Sequence, residues 1–219
     1  ASDYWSDTIV VNNINDAPVL ESISNSSTDE DAPFEYQLTA TDIDMDVDDN
    51  ETLTFEAVNK PDWMTVSSDG LITGTPENGD VGDHSVTVKV TDSAGESDTK
   101  TFTLTVNNVN DAPVFDFAPP SNTEEDAAFS YQLTASDIDA GVVDETLTFE
   151  AVNKPDWMSV SSSGLITGTP ENEDVGYHSV TVKVTDIAGE TDTKIFTLTV
   201  SNVNAVSYTH LTLPTMFEV

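Results

Sequence analysis

Short runs of alternating apolar and polar residues recur along the chain. Phe34, Tyr36, Leu38 and Ala40 share one face of an extended segment, as do Leu53, Phe55 and Ala57. Val86, Val88 and Val90 alternate with Ser85, Thr87 and Lys89, and Phe102, Leu104 and Val106 alternate with Thr101, Thr103 and Thr105. A period of two with threonine on the wet face predicts strands half buried in antiparallel sheets. Turn signals punctuate these runs at Asn59-Lys60-Pro61-Asp62, Ser68-Asp69-Gly70, Thr75 to Gly79 and Ser93-Ala94-Gly95. No stretch carries a helical period.

The pattern repeats itself. Asn-Asp-Ala-Pro at Asn15 to Pro18 returns at Asn110 to Pro113, an offset of 95, and Glu51 to Met64 returns unchanged as Glu145 to Met158, an offset of 94. One residue is therefore lost between Asp44 and Glu51. Repeats at this period are read before any single element. The expected units are 15–109 and 110–204. Residues 1–14 are expected to supply the last strand of a preceding repeat, because Thr8 to Asn15 matches Thr103 to Asn110. About seven short strands in roughly 100 residues is the spacing of an immunoglobulin-like sandwich. The expected fold class is all-β: two tandem seven-stranded Greek-key β-sandwiches cut from a longer array.

Charge narrows the functions open to such a fold. The 219 residues include 41 Asp and Glu against 6 Lys and no cysteine, for a formal charge of −35. Binding of nucleic acid or anionic lipid by counterion release needs clustered cations, so no nucleic-acid partner and no membrane insertion are expected. Self-repulsion of this size destabilises a compact state unless cations or salt screen it. Apolar residues make up 37% of the chain, low but arranged in ordered alternation, which argues against global disorder. No basic and apolar leader and no long apolar span occurs, so neither signal peptide nor membrane anchor is expected in this fragment.

Topology gathers the acids. In a seven-strand sandwich the loops after the second and sixth strands lie beside the incoming linker, and those after the first and fifth lie at the far end. Asp42 and Asp44 follow the second strand and Asp92 the sixth; their counterparts are Asp137, Asp139 and Asp186. Glu30 follows the first strand, and Glu77 and Asp80 the fifth. Carboxylates packed this closely repel one another, and a hard divalent cation taking six to eight oxygens relieves the repulsion.

The runs Leu38-Thr39-Ala40-Thr41-Asp42-Ile43-Asp44, Val88-Lys89-Val90-Thr91-Asp92 and Asn108-Val109-Asn110-Asp111-Ala112-Pro113 together resemble cadherin repeats. The Trp63 segment and Gly74-Thr75-Pro76 with Val81-Gly82 resemble the dystroglycan-type, cadherin-like repeats of large bacterial surface and secreted proteins. The resemblance implies calcium between repeats, with Glu30, Asn108, Asn110 and Asp111 facing Asp137, Asp139 and Asp186. It implies a second, partial site at the leading end formed by Asn13, Asn15, Asp16, Asp42, Asp44 and Asp92. It also implies an extracellular or cell-surface location. Three departures stand out: Asn108 occupies a position where cadherins usually carry Asp, the linker is one residue shorter, and Glu77 with Asp80 only loosely matches the family's acidic pair. Fewer charges imply weaker sites, roughly in the 10⁻⁴ to 10⁻³ M range of extracellular modules.

Competing readings stand beside these. Exposed acids are ordinarily solvated loops, and an acid-rich chain also suits salty water. Asp46, Asp48 and Asp49 are absent or replaced by Gly and Val in the second unit and read as solvating charge rather than as ligands. Trp63 and Trp157 read as core packing rather than sugar platforms, and His84 and His178 as partly buried strand residues rather than ligands. No nucleophile, Ser-His-Asp spacing or zinc pair supports catalysis, so no enzyme is expected. Residues 205–219 share no vocabulary with the repeats, resemble sequencing-adapter read-through, and are set aside from the fold. Two function classes remain: calcium-stiffened spacer or adhesion repeats, and a calcium-dependent polysaccharide-binding module with Tyr36, Tyr131 and Tyr177 as its candidate aromatics. A third, pairing of a lone leading strand around Ile9 to Val11 with another chain's sheet edge, is physically reasonable.

Overall fold

The structure, a computed structural model, describes residues 12–46, 51–142 and 145–203. The lead strand expected around Ile9 to Val11, Asp48, Asp49, Asn204 and the tail from Ala205 lie outside the described residues. Two compact units meet in sequence at Val109 and Asn110.

The first unit contains β1 (Val19–Leu20), β2 (Ser26–Asp29), β3 (Phe34–Gln37), β4 (Ala40–Thr41), β5 (Thr54–Asn59), β6 (Met64–Val66), β7 (Leu71–Gly74), β8 (Gly82–Thr91) and β9 (Ser97–Asn107). One sheet has the order β2-β9-β8-β5 and the facing sheet the order β3-β7-β6, while β1 pairs with β4. Every pairing is antiparallel except β2 with β9, which runs parallel from Ser26 opposite Leu104 to Asp29 opposite Asn107. The second unit repeats this plan with β10 (Val114–Phe115), β11 (Asn122–Glu124), β12 (Phe129–Gln132), β13 (Ala135–Ser136), β14 (Thr148–Asn153), β15 (Met158–Val160), β16 (Leu165–Gly168), β17 (Gly176–Thr185) and β18 (Thr191–Ser201).

Each unit thus follows the seven expected strand paths of a sandwich, but the first two paths are broken into short segments. The first path serves both sheets. After β1 pairs with β4 the chain crosses over, and β2 joins β9. Polar residues mark the crossing in the first unit, where the Asn25 side chain accepts a hydrogen bond from the Thr103 amide (3.0 Å). In the second unit Pro119-Pro120 occupies the crossing, and prolines have no N–H with which to continue a ladder. The second path breaks at Leu38, whose amide turns to the Gly70 carbonyl (2.9 Å).

The inner faces carry the predicted alternation. Val86, Val88, Val90, Phe102, Leu104 and Val106 are all buried, and the first five pack with Leu20, Leu38, Phe55, Met64 and Ile72. Each such aliphatic side chain stabilises the fold by about 1.5–3 kcal/mol. The second unit substitutes an aromatic cluster at one end. Phe117 replaces Ser22 and packs edge-on against Phe115 (5.2 Å) and Phe196 (6.1 Å), with Lys194 Nζ 4.8 Å above its ring.

Trp63 and Trp157 do pack into their units. Trp63 meets Phe34 and His84 edge-on, and His84 Nε2 lies 2.5 Å from the Asp80 carbonyl oxygen. The indole N–H of each tryptophan is buried without a partner. Gly74 and Gly168 are required by this packing: a Cβ on Gly168 would stand 2.3 Å from the Trp157 carbonyl oxygen and 2.7 Å from its ring. Gly168→Ala should therefore cost about 1–3 kcal/mol through overpacking, read as a lower urea midpoint at unchanged slope. Gly79→Ala, where nothing lies within 4 Å of the new methyl, should be close to neutral, and an equal loss in both would refute the steric argument.

Candidate functional site

The β8–β9 hairpin fixes the two ends of the first unit. Gly82 pairs with Val106 at one end and Thr91 with Ser97 at the other, a separation of about 30 Å at ~3.3 Å per residue. The turn of the hairpin is the leading end, next to Asn15 and Asp16. The open side of the hairpin is the trailing end, next to Glu30.

At the leading end the predicted residues are joined in one hydrogen-bond network. Asp44 accepts the Asn13 amide group (2.8 Å) at Oδ1 and the Asp16 backbone N–H (2.6 Å) at Oδ2. Asp42 accepts the Asp44 N–H (2.8 Å), which curls the loop back on itself. Asp92 accepts the Asn15 side chain (2.9 Å) and the N–H groups of Gly95 and Glu96 (2.6 and 2.8 Å), closing the hairpin turn in which Gly95 takes a φ of 98°. The second unit reproduces this arrangement. Asp139 accepts the Asp111 N–H (2.8 Å), Asp137 the Asp139 N–H (3.0 Å), and Asp186 the Asn110 side chain (2.9 Å) together with the N–H groups of Gly189 and Glu190 (2.5 and 2.7 Å).

At the trailing end Glu30 is only 2% exposed. Its Oε1 accepts the Val109 N–H (2.7 Å), while Oε2 is buried without a partner. The next residue, Asp31, is forced into a left-handed conformation (φ 57°) by the hydrogen bond from its amide to the Pro76 carbonyl (2.8 Å), at a cost of about 1–2 kcal/mol for a side-chain-bearing residue. Glu125 and Asp126 repeat all of this: the Val203 N–H reaches Glu125 Oε1 (2.9 Å), Oε2 has no partner, and Asp126 has a φ of 57°. Sequence reasoning passed over Glu125, although the 95-residue offset from Glu30 points to it. Asn108 also carries a buried oxygen without a partner. Glu77 and Asp80 take no part in this end's buried set; the Asp80 carboxylate accepts the Glu77 N–H (2.9 Å) and caps a short 3-10 turn.

Among the described residues every buried polar side chain is a carboxylate: Glu30, Asp42, Asp44 and Asp92, then Glu125, Asp137, Asp139 and Asp186. Lysines are spent elsewhere, in the pairs Lys89–Glu56, Lys183–Glu150 and Lys100–Asp98. Besides Glu30 and Glu125, Asp42, Asp137 and the less buried Glu145 each keep one buried oxygen that accepts nothing. Burying a carboxylate without a compensating charge is expensive, and oxygens left over in this way are the donors a hard cation takes. No group of three or more Asp, Glu, His or Cys side chains among the described residues stands where it could hold a metal ion, and several of these oxygens are turned onto backbone N–H groups. The unfilled carboxylate oxygens are donors of the hard kind that calcium takes.

The fold and its end-capping carboxylates define the class: tandem immunoglobulin-like, cadherin-like repeats. The family described as "Putative Ig domain" matches residues 17–107 and again 112–201. The chain belongs to that family. No curated protein matches it. Solved structures similar to it include human protocadherin-24 EC1-2 (20% identity over 87% of this chain and 100% of that one, TM-score 0.58) and mouse cadherin-23 EC22-24 (21%, 85% and 65%, TM-score 0.57). Extracellular cadherin domains 3-6 of protocadherin gamma B2 match at 18% over 86% of this chain and 52% of that one, TM-score 0.54. At these identities the likeness is one of fold. An endo-fucoidan hydrolase of glycoside hydrolase family 107 aligns with 86% of this chain, which spans 29% of that enzyme, at a TM-score of 0.39, and carries no argument.

The Asn110 side chain, with help from the Glu190 and Gly189 amides and against the effect of burial, holds the Asp186 carboxyl below the usual range; Asn15 does the same for Asp92. A depressed folded-state pKa gives stability that is present above the unfolded value near 3.8 and is lost as pH falls through the folded one. Asn110→Ala in metal-free buffer should therefore move the Asp186 titration upward and bring acid unfolding to a higher pH. A carbon-detected carboxyl titration checks this, and an unmoved Asp186 would contradict the assigned cause.

Proposed function

We propose that the chain is a run of calcium-binding spacer or adhesion repeats, stiffened by calcium, from a larger extracellular or cell-surface bacterial protein. The observation that carries this reading is the set of buried carboxylate oxygens without partners on Glu30, Asp42, Glu125 and Asp137. The calcium donors of the first leading end are Asn13, Asn15, Asp16, Asp42, Asp44 and Asp92. Those of the second are Asn110, Asp111, Asp137, Asp139 and Asp186, and the trailing donors of the first unit are Glu30 and Asn108. Asn108 and Asn110 flank Val109, the residue whose N–H Glu30 holds, so trailing and leading donors follow one another directly in the chain. A bound ion would supply positive charge to acids that otherwise repel, and the chain's part is to present oxygens already fixed by backbone N–H groups. The role is structural, with no catalytic step, and the partners are calcium and neighbouring repeats.

The polysaccharide reading needs an aromatic platform. Tyr36 and Tyr131 are partly buried, and Tyr177 is the one exposed aromatic side chain among the described residues. A single exposed ring is a poor platform for a sugar chain, which supports the spacer reading over the polysaccharide one.

Thermal unfolding and small-angle scattering in chelator and across a millimolar calcium titration test the proposal. A ligand at a hundredfold excess over its Kd stabilises by about 2.7 kcal/mol, so a saturable rise in Tm and a straighter particle are expected with calcium and not with magnesium. Glu30→Gln keeps an acceptor for the Val109 N–H but removes the buried charge. It should leave Tm in chelator equal or higher and shrink the calcium-induced rise. Equal calcium responses in Glu30→Gln and the parent chain would remove Glu30 from the site, and no response in either would sink the calcium reading.

A further inference from the structure

The two units are near copies, so their differences are informative. Three polar residues of the first unit become large and apolar in the second around a single hairpin: Asp83 is replaced by Tyr177, Ser93 by Ile187 and Thr101 by Ile195. None of these changes fills the core. Tyr177 is 84% exposed, and Ile187 and Ile195 are each 68% exposed. In the first unit Asp83 accepts the Thr105 hydroxyl (2.6 Å), and the hydroxyls of Thr87 and Thr101 pair at 2.9 Å. The second unit gives up both contacts for exposed hydrocarbon, which works against solubility and contributes nothing to folding.

The two central strands of the face on which two of them sit carry no acid at their outward positions, and the flanking β14 adds one, Glu150, opposite Lys183. The outward positions of β17 are Tyr177, Ser179, Thr181, Lys183 and Thr185, and those of β18 are Thr191, Thr193, Ile195, Thr197, Thr199 and Ser201. None is a carboxylate, in a chain with 41 of them. Lys183, the one cation of the face, is neutralised by Glu150. Thr181 lies between Ile195 on one side and Asn153 on the other, and Val152, beside Asn153 at the bulge of β14, adds a further exposed apolar side chain.

We propose that this outer face of the β14-β17-β18 sheet is a self-association surface whose occupant is the same face of a second copy of the chain. Charge selects the occupant. Two molecules at −35 repel wherever acids meet, and a basic partner would be drawn to the acidic loops rather than to a neutral face. A neutral face with an aromatic and two aliphatic anchors suits a partner that is itself strongly acidic, and the hydroxyls at its rim can pair with their own copies across a two-fold axis. A patch about 33 Å long and roughly 15 Å wide, from the strand length and spacing, covers on the order of 500 Å² per copy. That is near the lower limit for a specific contact, so the dimer is weak and reversible.

Sedimentation velocity on the full 219-residue chain, in chelator and again in calcium and at loadings up to ~1 mM, tests the proposal. The contact involves no intermolecular ion pair, so association should strengthen as salt rises from ~0.05 to ~0.5 M and screens the repulsion. Tyr177→Asp with Ile195→Thr installs the residues that the first unit already carries, so the sandwich stays folded, and the dimer constant should weaken by about tenfold or more. Running in chelator as well separates this result from the calcium reading, because the face contains no candidate ligand. A chain that stays monomeric throughout overturns the proposal. So does a dimer indifferent to the double substitution, or a loss in the variant only of binding to a neutral polysaccharide.

Discussion

Each unit buries four carboxylates among the described residues, and the ion pairs that lysines form there, at Lys89, Lys100 and Lys183, are with other acids. Most features of the two ends follow from that constraint. Backbone N–H groups are turned toward the acids wherever the chain can supply them: the hairpin turn wraps Asp92, the loop after β4 folds its own amide onto Asp42, and the linker gives its amides to Asp44 and Asp139. Glu30 and Glu125 each receive one such donor and keep one oxygen empty. Partial satisfaction by dipoles lowers the cost of burying charge but does not cancel it, since a full compensating charge is missing. The ends of the units are therefore poised to gain from a cation, whereas the middles are ordinary hydrophobic sandwiches.

Much of this was legible in the sequence, for a physical reason. A half-buried sheet imposes a period of two that no other structure imitates, so the strands carrying Val86 to Val90 and Phe102 to Val106 could be read directly. The tandem copy then located the acids on equivalent loops. What could not be read was set by partners remote in sequence. The break in the first strand depends on which sheet receives each half. The left-handed Asp31 depends on the Pro76 carbonyl, and the aromatic cluster around Phe117 on a side chain where the first copy has serine. Sequence also gave no sign that several predicted ligands would turn their oxygens onto the backbone, because a loop acid has the same identity whether it faces an amide or an ion.

The two copies hold to the same acids and the same glycines at the tryptophans while differing on an outer sheet face. Core packing and end chemistry tolerate little change, because a Cβ on Gly74 or Gly168 would run into the neighbouring tryptophan and the end acids sit in hydrogen bonds of 2.8–2.9 Å. The outer face faces water, and there the second copy has exchanged hydroxyls and a carboxylate for an aromatic ring and aliphatic side chains. A repeat of this kind can vary its exterior without disturbing its ends.

The parallel pairing of β2 with β9 has a mechanical consequence. The first and last long paths of the unit lie side by side and point the same way, so a pull on the two termini slides these strands past each other. Their hydrogen bonds are then loaded together, in shear, instead of opening one at a time as in a hairpin peeled from its free end. Glu30, gripping the Val109 amide just beyond β9, adds a contact in the same line of force. A unit wired in this way resists stretching along its own chain far better than its modest core would suggest.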